Sequence, residues 1–453
     1  MKKTFFDHRL WENYRWPLVL PVLGLMICGL INLYSTSGAN TAPDLWNTPF
    51  LKQLIFSAAG LAGLAALSLL DYRQLRLIAW PLFGVCLILL LAVKFYGIQA
   101  GGATRWLPLG PFRFQPSELA KISLVLVLSL WLSRHPAPKG LDFLDLLVPL
   151  ALIGVPFALI LKQPDMGTAL HIILTAAPLF LLARLRRRVI LTALILLAAG
   201  TAWIVFLGGQ DFLLKHEIIK PYHLARYRYY INPQKAPTGQ GWQIIQSKNA
   251  IGSGQFFGQG FQEGSQQRYG FLPAPETDFA FAALAEEWGF AGAGFVILLY
   301  LILFWTALGV IRSCGESFGA YAALGLTSLI FWQTAINLAM VVDLFPVVGI
   351  PLPFISYGGS SLIISLGAAA VIANIGLNRY FFQDEAIRQN PSLWQEGRSL
   401  PQPGVHPVRR LAPLNPEEPE PYPEHRLPHR KPWLKHIRYL RTPDRSALLD
   451  SGK

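Results

Sequence analysis

The stretch FLPAPETDFAFAALAEEWGF, Phe271–Phe290, joins a long polar, glycine-rich segment to a long apolar one. Asp278 stands at this junction, where water would meet a membrane. A carboxylate at the edge of a low-dielectric region can have a raised pKa, which suits a general base. An acid in the first turn of a helix can equally cap the free backbone N–H groups. The position of Asp278 permits both interpretations.

The composition is typical of an integral membrane protein built from helices. Hydrophobic residues occupy 53% of the 453 positions and charged residues only 14%, whereas a soluble domain carries about 25% charge. Much of the net charge of +13 lies in short loops and a basic tail, as cytoplasmic segments require, so it does not indicate a nucleic-acid partner. The three cysteines are far apart and predict neither a disulfide framework nor a zinc site.

Apolar stretches of membrane-spanning length predict an all-α polytopic protein with about ten transmembrane helices. A transmembrane domain, residues 1–383, contains them, with a large extracytoplasmic loop at 208–277 between the seventh and eighth, because that segment is too polar to span. The predicted spans are Pro17–Tyr34, Leu51–Leu70, Ile78–Val93, Pro116–Leu132, Leu144–Leu161, Met166–Ala183, Val189–Leu207, Asp278–Gly309, Gly319–Val342 and Gly358–Ile375.

Lysines and arginines predict the orientation, because cytoplasmic loops carry an excess of both. With ten spans, both termini are cytoplasmic, and loop 97–115, segment 208–277 and Asp278 face outward. The residues that mark the cytoplasmic side are Lys2, Lys3, Arg9, Arg73, Arg76, Arg134, Lys139, Arg184, Arg186, Arg187, Arg188, Arg312 and Arg379.

Residues 384–453 differ from the rest of the chain in being rich in proline and mixed in charge. Such a sequence buries too little apolar surface to pack alone, so we predict a disordered basic cytoplasmic tail. Its basic part, Arg426–Arg445, either contacts anionic lipid headgroups or is a passive solvated segment.

Ionisable residues within apolar helices are costly and are therefore candidates for function. Ser117, Glu118 and Lys121 lie in the first turns of the fourth predicted span, where Glu118 and Lys121 are i,i+3 neighbours that can pair. The pair is either functional or a structural ion pair that satisfies itself.

Arg105, Arg113 and Gln115 precede that span on the predicted outer side. Guanidinium groups bind phosphate oxygens in bidentate fashion, which makes the two arginines candidates for a phosphate-bearing substrate. The alternative is that they snorkel to lipid headgroups.

Two other acids have structural interpretations. Asp165 follows a proline at the start of the sixth predicted span and is interpreted as a helix N-cap. Glu286, on the same predicted helix face as Asp278, is interpreted as a hydrogen-bonding partner of a neighbouring helix rather than a catalytic group.

Two glycine-rich stretches are further candidates for a functional site: residues 252–271, GSGQFFGQGFQEGSQQRYGF, and residues 347–361, VVGIPLPFISYGGSS. Irregular backbone at membrane depth is stable only where it lines a cavity or is buried in protein. Neither stretch follows a strand–glycine–helix order, so neither predicts a nucleotide-binding loop.

Five motifs, in order along the chain, resemble the landmarks of the SEDS family, the shape, elongation, division and sporulation proteins. The resemblance covers about residues 10–380, and the forms PETDFAFA and PVVGIPLPFISYGGSS are closer to elongation members than to division members. Trp288, where leucine is common, and the long tail are the departures. The motifs are RWLPLGPFRFQPSELAK (105–121), LKQPDMGTAL (161–170), GWQIIQSKNAIGSG (241–254), FLPAPETDFAFAALAEEWG (271–289) and PVVGIPLPFISYGGSS (346–361).

This resemblance implies a peptidoglycan glycosyltransferase of the bacterial cytoplasmic membrane that polymerises lipid II on the outer face during elongation. Asp278 matches the family's essential aspartate, and Glu118 and Lys121 match its functionally important pair. The implied partners are a class B penicillin-binding protein, which is a transpeptidase, and other membrane proteins of the elongation complex. No nucleic-acid partner is expected.

The implied reaction is a single inverting displacement that releases undecaprenyl pyrophosphate. Asp278 is the candidate base for the acceptor hydroxyl, and Lys121, Arg105 and Arg113 are candidate cations for the diphosphate. Glu118 either holds Lys121 in place or takes part in binding a divalent cation, and no other cofactor is expected. The remaining predicted substrate-binding residues are Gln115, Ser117, Lys248, Ser356 and Tyr357.

Other functions are compatible with charges inside a membrane protein. A lipid II flippase also needs a polar cavity, and a non-catalytic scaffold for a transpeptidase needs no base at Asp278. A role in division instead of elongation is a further alternative. The predicted clustering of outward-facing acids and bases at one membrane level favours a polymerase over a flippase or a scaffold.

Overall fold

The structure is a computed structural model that describes residues 16–38, 48–100, 103–110, 112–206 and 240–389. It is mostly helical, as predicted. Its helices are α1 (Trp16–Thr36), α2 (Pro49–Leu69), α3 (Leu75–Tyr96), α4 (Pro116–Arg134), α5 (Leu147–Lys162), α6 (Met166–Leu182), α7 (Arg187–Phe206), α8 (Gln240–Ser253), α9 (Ser265–Arg268), α10 (Ala280–Ser313), α11 (Ser317–Val341) and α12 (Gly359–Gln389). Its strands are β1 (Ile98–Ala100), β2 (Ala103–Leu109) and β3 (Phe112–Phe114).

Each predicted span coincides with a helix, namely α1 to α7 and α10 to α12. Within the described ranges, seven helices are long and apolar enough to cross a membrane: α1, α2, α3, α4, α10, α11 and α12. The apolar helices α5 and α6 are shorter, with 16 and 17 residues. The total of ten spans therefore stays a prediction.

The sequence analysis missed a small sheet and two helices. Strands β1, β2 and β3 form a small antiparallel sheet in that order, which the predicted helical fold did not include. Helices α8 and α9 lie within the segment predicted as a loop. These elements are too short or too polar for a search based on the length of apolar stretches, and Pro108 in β2 is unfavourable for a strand assignment.

Some predictions fall on residues outside the described ranges. These are the basic N-terminus at 1–15, loop residues 207–239 and most of the tail, 390–453. Helix α12 continues to Gln389, past the predicted start of the tail at residue 384. Disorder of the tail therefore stays a prediction.

Successive helices place their connections alternately at two ends of the bundle. We call one the hairpin end, made of residues 97–100, 103–110, 112–115, 163–166, 254–279 and 342–358. We call the other the arginine end, made of residues 70–74, 134–146, 183–187 and 313–317. At the hairpin end, Arg105 Nη2 donates to the carbonyl of Pro164 at 2.7 Å. At the arginine end, the Tyr72 hydroxyl donates to Glu316 Oε2 at 2.7 Å.

Helix α10 is interrupted at Gly289, whose backbone has φ 65° and ψ −164°. An added Cβ at Gly289 would lie 2.3 Å from the backbone nitrogen of Gly258, so only glycine fits this approach. The interruption divides α10 into a short first part, which follows Asp278 in the chain, and a long second part.

Loop residues 255–260 satisfy the backbone groups that this interruption releases. The carbonyls of Glu286 and Glu287 accept from the backbone N–H groups of residues 259 and 260, at 2.9 and 3.0 Å. In return, the N–H groups of residues 290 and 291 donate to the carbonyls of residues 255 and 256, at 2.8 and 3.0 Å. Because backbone groups inside a membrane need a protein partner, this loop makes the interruption stable.

Candidate active site

Asp278 lies in the turn that precedes α10. The helix begins at Ala280 with Phe279 as its N-cap residue, so Asp278 stands one position before the cap. Its side chain is half-buried, and its Oδ2 lies 3.6 Å from where a Cβ would stand on Gly349. Gly349 has a φ of 71°, a left-handed conformation that favours glycine. The carboxylate therefore faces the proline-rich loop 347–358.

The side chain of Asn337 joins the Asp278 turn to that loop. Asn337 is completely buried on α11. Its Nδ2 donates to the backbone carbonyl of Asp278 at 3.0 Å and to that of Ile350 at 2.8 Å. One amide group thus holds two chain segments that are far apart in the sequence.

Ser356 and Tyr357, both predicted to bind substrate, are brought next to the same turn. The Ser356 hydroxyl donates to the carbonyl of Thr277 at 2.6 Å and accepts from the backbone N–H of Leu352 at 2.9 Å. The N–H of Tyr357 donates to the carbonyl of Glu276 at 2.8 Å. These bonds fix the loop along residues 276–278.

Glu276 and Arg113 act electrostatically on Tyr357, beside the Asp278 turn. Burial raises the pKa of the Glu276 carboxyl above its ordinary value. Burial also raises the pKa of Tyr357, the negative charge of Glu276 raises it further, and the positive charge of Arg113 opposes both. Arg113 is exposed, and its carbonyl accepts from the Ser360 hydroxyl at 3.2 Å. An exposed cation therefore lies within electrostatic range of the loop that faces the candidate base.

Gln115 connects the sheet to α12. Its backbone N–H donates to the Ser360 hydroxyl at 3.3 Å, the same hydroxyl that contacts the carbonyl of Arg113. Gln115 is the N-cap residue of α4 and its side chain makes no capping hydrogen bond. The candidate residues of β3 and the start of α4 are thus placed beside the glycine-rich end of loop 347–361.

Glu118 and Lys121 form the predicted pair on α4. Lys121 Nζ lies 2.8 Å from Glu118 Oε1, and both side chains are buried. In the part of the chain that the structure describes, Glu118 Oε2 and the hydroxyl of the neighbouring Ser117 have no hydrogen-bond partner. Buried polar atoms normally have partners, so these two oxygens mark a place where a polar ligand or water can bind.

The predicted divalent cation finds little support in the side chains around this pair. Lys121 already neutralises Glu118. The described ranges contain no group of three or more His, Cys, Asp or Glu side chains that could hold a metal ion. The divalent cation stays a prediction, and the reaction is argued below without it.

Arg105 is held inside the protein rather than facing free solvent. Its side chain is only 14% exposed, with Nη1 3.6 Å from Asp165 Oδ1 and Nη2 donating to the carbonyl of Pro164 at 2.7 Å. Asp165 is the N-cap residue of α6 and accepts from the N–H of Thr168 at 3.2 Å, which confirms its predicted capping role. Arg105 therefore stabilises the turn before α6.

The same turn packs against the loop that faces Asp278. An added Cβ at Gly167 would lie 2.7 Å from the carbonyl oxygen of Val348. Val348 is the neighbour of Gly349, which faces the Asp278 carboxylate. Arg105, the turn at 163–166 and the Asp278 turn thus belong to one contiguous region of the hairpin end.

Lys248 is placed on α8 and points to a different partner. Its Nζ lies 3.0 Å from Asp343 Oδ2, and its side chain is 55% exposed. Asp343 follows the end of α11, the helix that carries Asn337. Among the described residues, no hydrogen bond or ion pair is found between Lys248 and the Asp278 turn, so its substrate-binding role stays a prediction.

Glu286 is completely buried in the first part of α10 and has structural partners. Its Oε1 accepts from the backbone N–H of Gln266 at 2.7 Å and from the Ser265 hydroxyl at 3.1 Å. Both partners belong to the short helix α9. The interpretation of Glu286 as a hydrogen-bonding partner of a neighbouring helix is thus confirmed.

The sequence analysis missed three residues that shape this region: Glu276, Asn337 and Gln53. Gln53 Nε2 donates to the carbonyl of Ser356 at 3.1 Å, and its Oε1 accepts from the N–H of Gly358 at 3.3 Å. A signal was present in each case. Asn337 and Gln53 are amides inside apolar spans, and Glu276 is two positions from Asp278.

Comparison with known proteins places this arrangement in a family. Residues 16–380 match the family model for FtsW, RodA and SpoVE, described as cell cycle proteins. The probable peptidoglycan glycosyltransferase FtsW of Trichlorobacter lovleyi is 37% identical, over 80% of this chain and 93% of that protein. The peptidoglycan glycosyltransferase MrdB of Escherichia coli K12 is 34% identical, over 83% of this chain and 96% of that protein.

Solved structures share the fold. A chain from a peptidoglycan synthase complex, described as coordinating polymerization and crosslinking, superposes with a TM-score of 0.67 at 30% identity, covering 81% of this chain and 98% of that chain. The rod shape determining protein RodA of Thermus thermophilus superposes with a TM-score of 0.58 at 27% identity, covering 82% and 99%.

Proposed function

Because the chain belongs to the FtsW, RodA and SpoVE family, we propose that it is a peptidoglycan glycosyltransferase that polymerises lipid II. The observation that carries this proposal is the geometry of the Asp278 turn. A half-buried carboxylate faces loop 347–358, and an exposed arginine, Arg113, lies within electrostatic range of that loop. Transfer of a sugar from a diphosphate donor requires a base and a cation, and here both groups lie beside the same loop.

Asp278 accepts the proton of the acceptor's 4-hydroxyl group. The resulting nucleophile attacks the anomeric carbon of the donor sugar, and the bond to the diphosphate breaks, so that undecaprenyl pyrophosphate leaves. The new linkage has the inverted configuration, since only one displacement occurs. Positioned acid–base catalysis of this kind contributes about 10²–10⁴-fold to a rate.

Cations stabilise the charge that develops on the leaving diphosphate. Arg113 is the first candidate, because it is exposed and makes no salt bridge within the described ranges. Arg105 can take part only if it shares its contacts with Asp165 and Pro164. Lys121 is buried beside Glu118, which balances its charge, so Lys121 can stabilise the diphosphate only if it gives up part of that contact.

The same proposal includes an orientation of the protein in the membrane and a partner protein. The hairpin end faces the outside of the cytoplasmic membrane, and both termini are cytoplasmic, because the basic loops lie at the arginine end. A class B penicillin-binding protein is the partner, which the likeness to a chain of a polymerizing and crosslinking complex supports. Cysteines introduced at 184–188 should resist an impermeant thiol reagent in intact cells, whereas cysteines at 252–268 should react.

We place the protein in elongation on the forms of its motifs. Relatives named FtsW and MrdB match at 37% and 34% identity, so overall identity does not separate division from elongation. Depletion in a bacterium that carries the gene tests the role: cells should lose their rod shape. Depletion that blocks septation without changing cell width would assign the protein to division.

The enzymatic proposal is tested with purified full-length protein, lipid II in detergent, and the transpeptidase partner present or absent. We expect glycan polymer from the wild type and none above background from Asp278→Asn. The same protein is also reconstituted into sealed lipid vesicles, where movement of lipid II between leaflets without polymer would indicate a flippase. If polymer forms only when the partner is present, and equally with the wild type and with Asp278→Asn, this protein would be a scaffold.

A further inference from the structure

The amide of Asn337 has no part in the reaction above, yet it holds the backbone of the candidate base. Asn337 Nδ2 donates to the carbonyls of Asp278 and Ile350 at 3.0 and 2.8 Å. Both partners are carbonyl oxygens, so only the NH₂ group can face them, and the orientation of the amide is thereby fixed. Both of its protons are used.

We propose that Asn337 is a positioning residue, which places the Asp278 carboxylate by holding the Asp278 carbonyl to helix α11 and to loop 347–358. The proposal rests on the proposed role of Asp278 as base. Asp278 precedes α10 and is outside the regular hydrogen bonding of that helix. Its backbone therefore needs a partner elsewhere, and α11 provides one.

The remaining polar atom of Asn337 argues against packing as its only role, and this holds equally for Gln333 on the same helix, whose Oε1 is also buried without a hydrogen-bond partner among the described residues. The two amides differ in where their N–H groups donate. In the part of the chain that the structure describes, Asn337 Oδ1 is buried and has no hydrogen-bond partner. A buried acceptor without a partner is destabilising. The amide is therefore unfavourable for packing, whereas its two N–H groups match the two carbonyl acceptors.

The chain offers a matched control on the same helix. Gln333 lies four residues before Asn337 and is equally buried. Its Nε2 donates to the carbonyl of Pro351 at 3.0 Å and to the Ser361 hydroxyl at 2.9 Å. Gln333 therefore holds the same loop through the same kind of group, but none of its hydrogen bonds goes to the Asp278 turn.

A small displacement of the base is expected to be costly. In a positioned site, a misplacement of about 1 Å can reduce the rate by about 10²-fold. Loss of the Asn337 contacts releases the Asp278 carbonyl, so the carboxylate is retained but can shift from its productive position. We therefore expect kcat to fall by about 10–100-fold while KM for lipid II changes less than about threefold, since the substrate contacts remain.

The test uses purified full-length protein and lipid II, with kcat, KM and Tm measured for the wild type, Asn337→Leu, Asn337→Ala, Gln333→Leu and Asp278→Asn. We expect the Leu variants to have similar Tm values and only the Asn337 variants to lose kcat. Equal loss of kcat in Asn337→Leu and Gln333→Leu would overturn the proposal, because holding the loop would then explain both. Wild-type kcat in either folded Asn337 variant would overturn it as well.

Two further outcomes separate this inference from the function on which it rests. If Asp278→Asn polymerises lipid II at the wild-type rate, Asp278 is not the base, and the proposed mechanism fails whatever the Asn337 variants show. If Asp278→Asn is inactive and both Asn337 variants fail to fold while Gln333→Leu folds, Asn337 is a structural residue and only the positioning proposal is lost.

Discussion

The two ends of the helix bundle use their polar residues in different ways. At the arginine end, side chains pair with side chains: Glu316 binds Arg73 and Arg76, and Asp142 binds Arg186 and Arg188. The hairpin end has ion pairs as well, such as Arg105 with Asp165, but there amides and hydroxyls also bind backbone carbonyls, as Asn337, Ser356 and Gln53 do. The arginine end mainly balances charge, whereas the hairpin end also fixes the path of the chain.

This difference predicts where the protein tolerates change. An ion pair that is partly exposed is worth about 0–1 kcal/mol, because solvent screens it and its long side chains can rearrange. A hydrogen bond to a backbone carbonyl sets the position of a chain segment, and buried backbone groups must be satisfied. Substitutions at the hairpin end should therefore impair activity, and those at the arginine end should have little effect.

The largest effect is expected at Asp278. Asp278→Asn keeps the shape of the side chain but removes its basicity, so lipid II turnover should fall by at least about 10²-fold, the usual contribution of a general base. Asp278→Glu should recover little, because its longer side chain moves the carboxylate by about 1 Å. Turnover by the purified variants, with their Tm values as a check on folding, measures both effects.

Asparagine also caps helices well, so a purely structural role for Asp278 makes the opposite prediction. The Asp278→Asn variant would then polymerise lipid II at the wild-type rate. That result would show that the Asp278 carboxylate at the hairpin end has a structural role and is not the base.

The second effect is expected at the buried pair of α4. Lys121→Ala removes a cation and leaves Glu118 buried without its partner, which costs about 3–5 kcal/mol when a buried pair is broken. Both Tm and lipid II turnover should fall strongly. Lys121→Arg should restore only part of the turnover, because the guanidinium is larger and planar.

The double variant Glu118→Gln/Lys121→Met distinguishes function from structure at this pair. It replaces both charges with neutral groups of similar size, so it avoids the unpaired charge. Normal folding with low turnover would show that the charges serve the reaction. Normal folding with normal turnover would show that the pair is structural.

The sequence was most informative where a feature depends on nearby residues. Span positions follow from the length of apolar stretches, and the Asp165 cap follows from a local turn signal, so both agree with the structure. Asn337 could be noticed only as an amide in an apolar span. Its contact with Asp278 joins residues 59 positions apart, and no local pattern predicts such a pairing.

The interruption of α10 shows the same limit. The sequence has Gly289 within an apolar stretch, which read as one continuous span. The structure stabilises the interruption with loop 255–260, whose carbonyls and N–H groups replace the lost helical bonds. A glycine alone does not predict this, because the replacement partners belong to a separate segment. The sequence likewise predicts Arg105 as a phosphate ligand but does not reveal its contact with Asp165.

A third, smaller effect is expected at Glu276 and depends on pH. Burial raises the pKa of its carboxyl, so the folded protein disfavours the ionised form. Its contribution to stability is fully present below the unfolded pKa and is lost as the pH rises through the folded pKa. Glu276→Gln cannot ionise and so does not lose stability in this way. The Tm of the variant minus that of the wild type should therefore increase as the pH rises from about 4.5, near the usual Glu pKa, to about 7. A difference in Tm that does not change over this range would contradict the predicted burial effect.

The smallest effect is expected at Asp142, on the arginine end. Its carboxylate binds Arg186 and Arg188, and its Oδ1 also accepts from the backbone N–H of Phe143 at 2.8 Å. Asp142→Asn keeps an acceptor for that N–H and removes only the charge, so the free energy of unfolding should change by about 0–1 kcal/mol and less at high salt. Lipid II turnover should stay within about twofold of wild type, because the contacts that Asp142 makes with described residues all lie at the arginine end. Tm at two salt concentrations and turnover at one test both statements, and a tenfold loss of turnover in a folded variant would show that the arginine end also determines the geometry of the site.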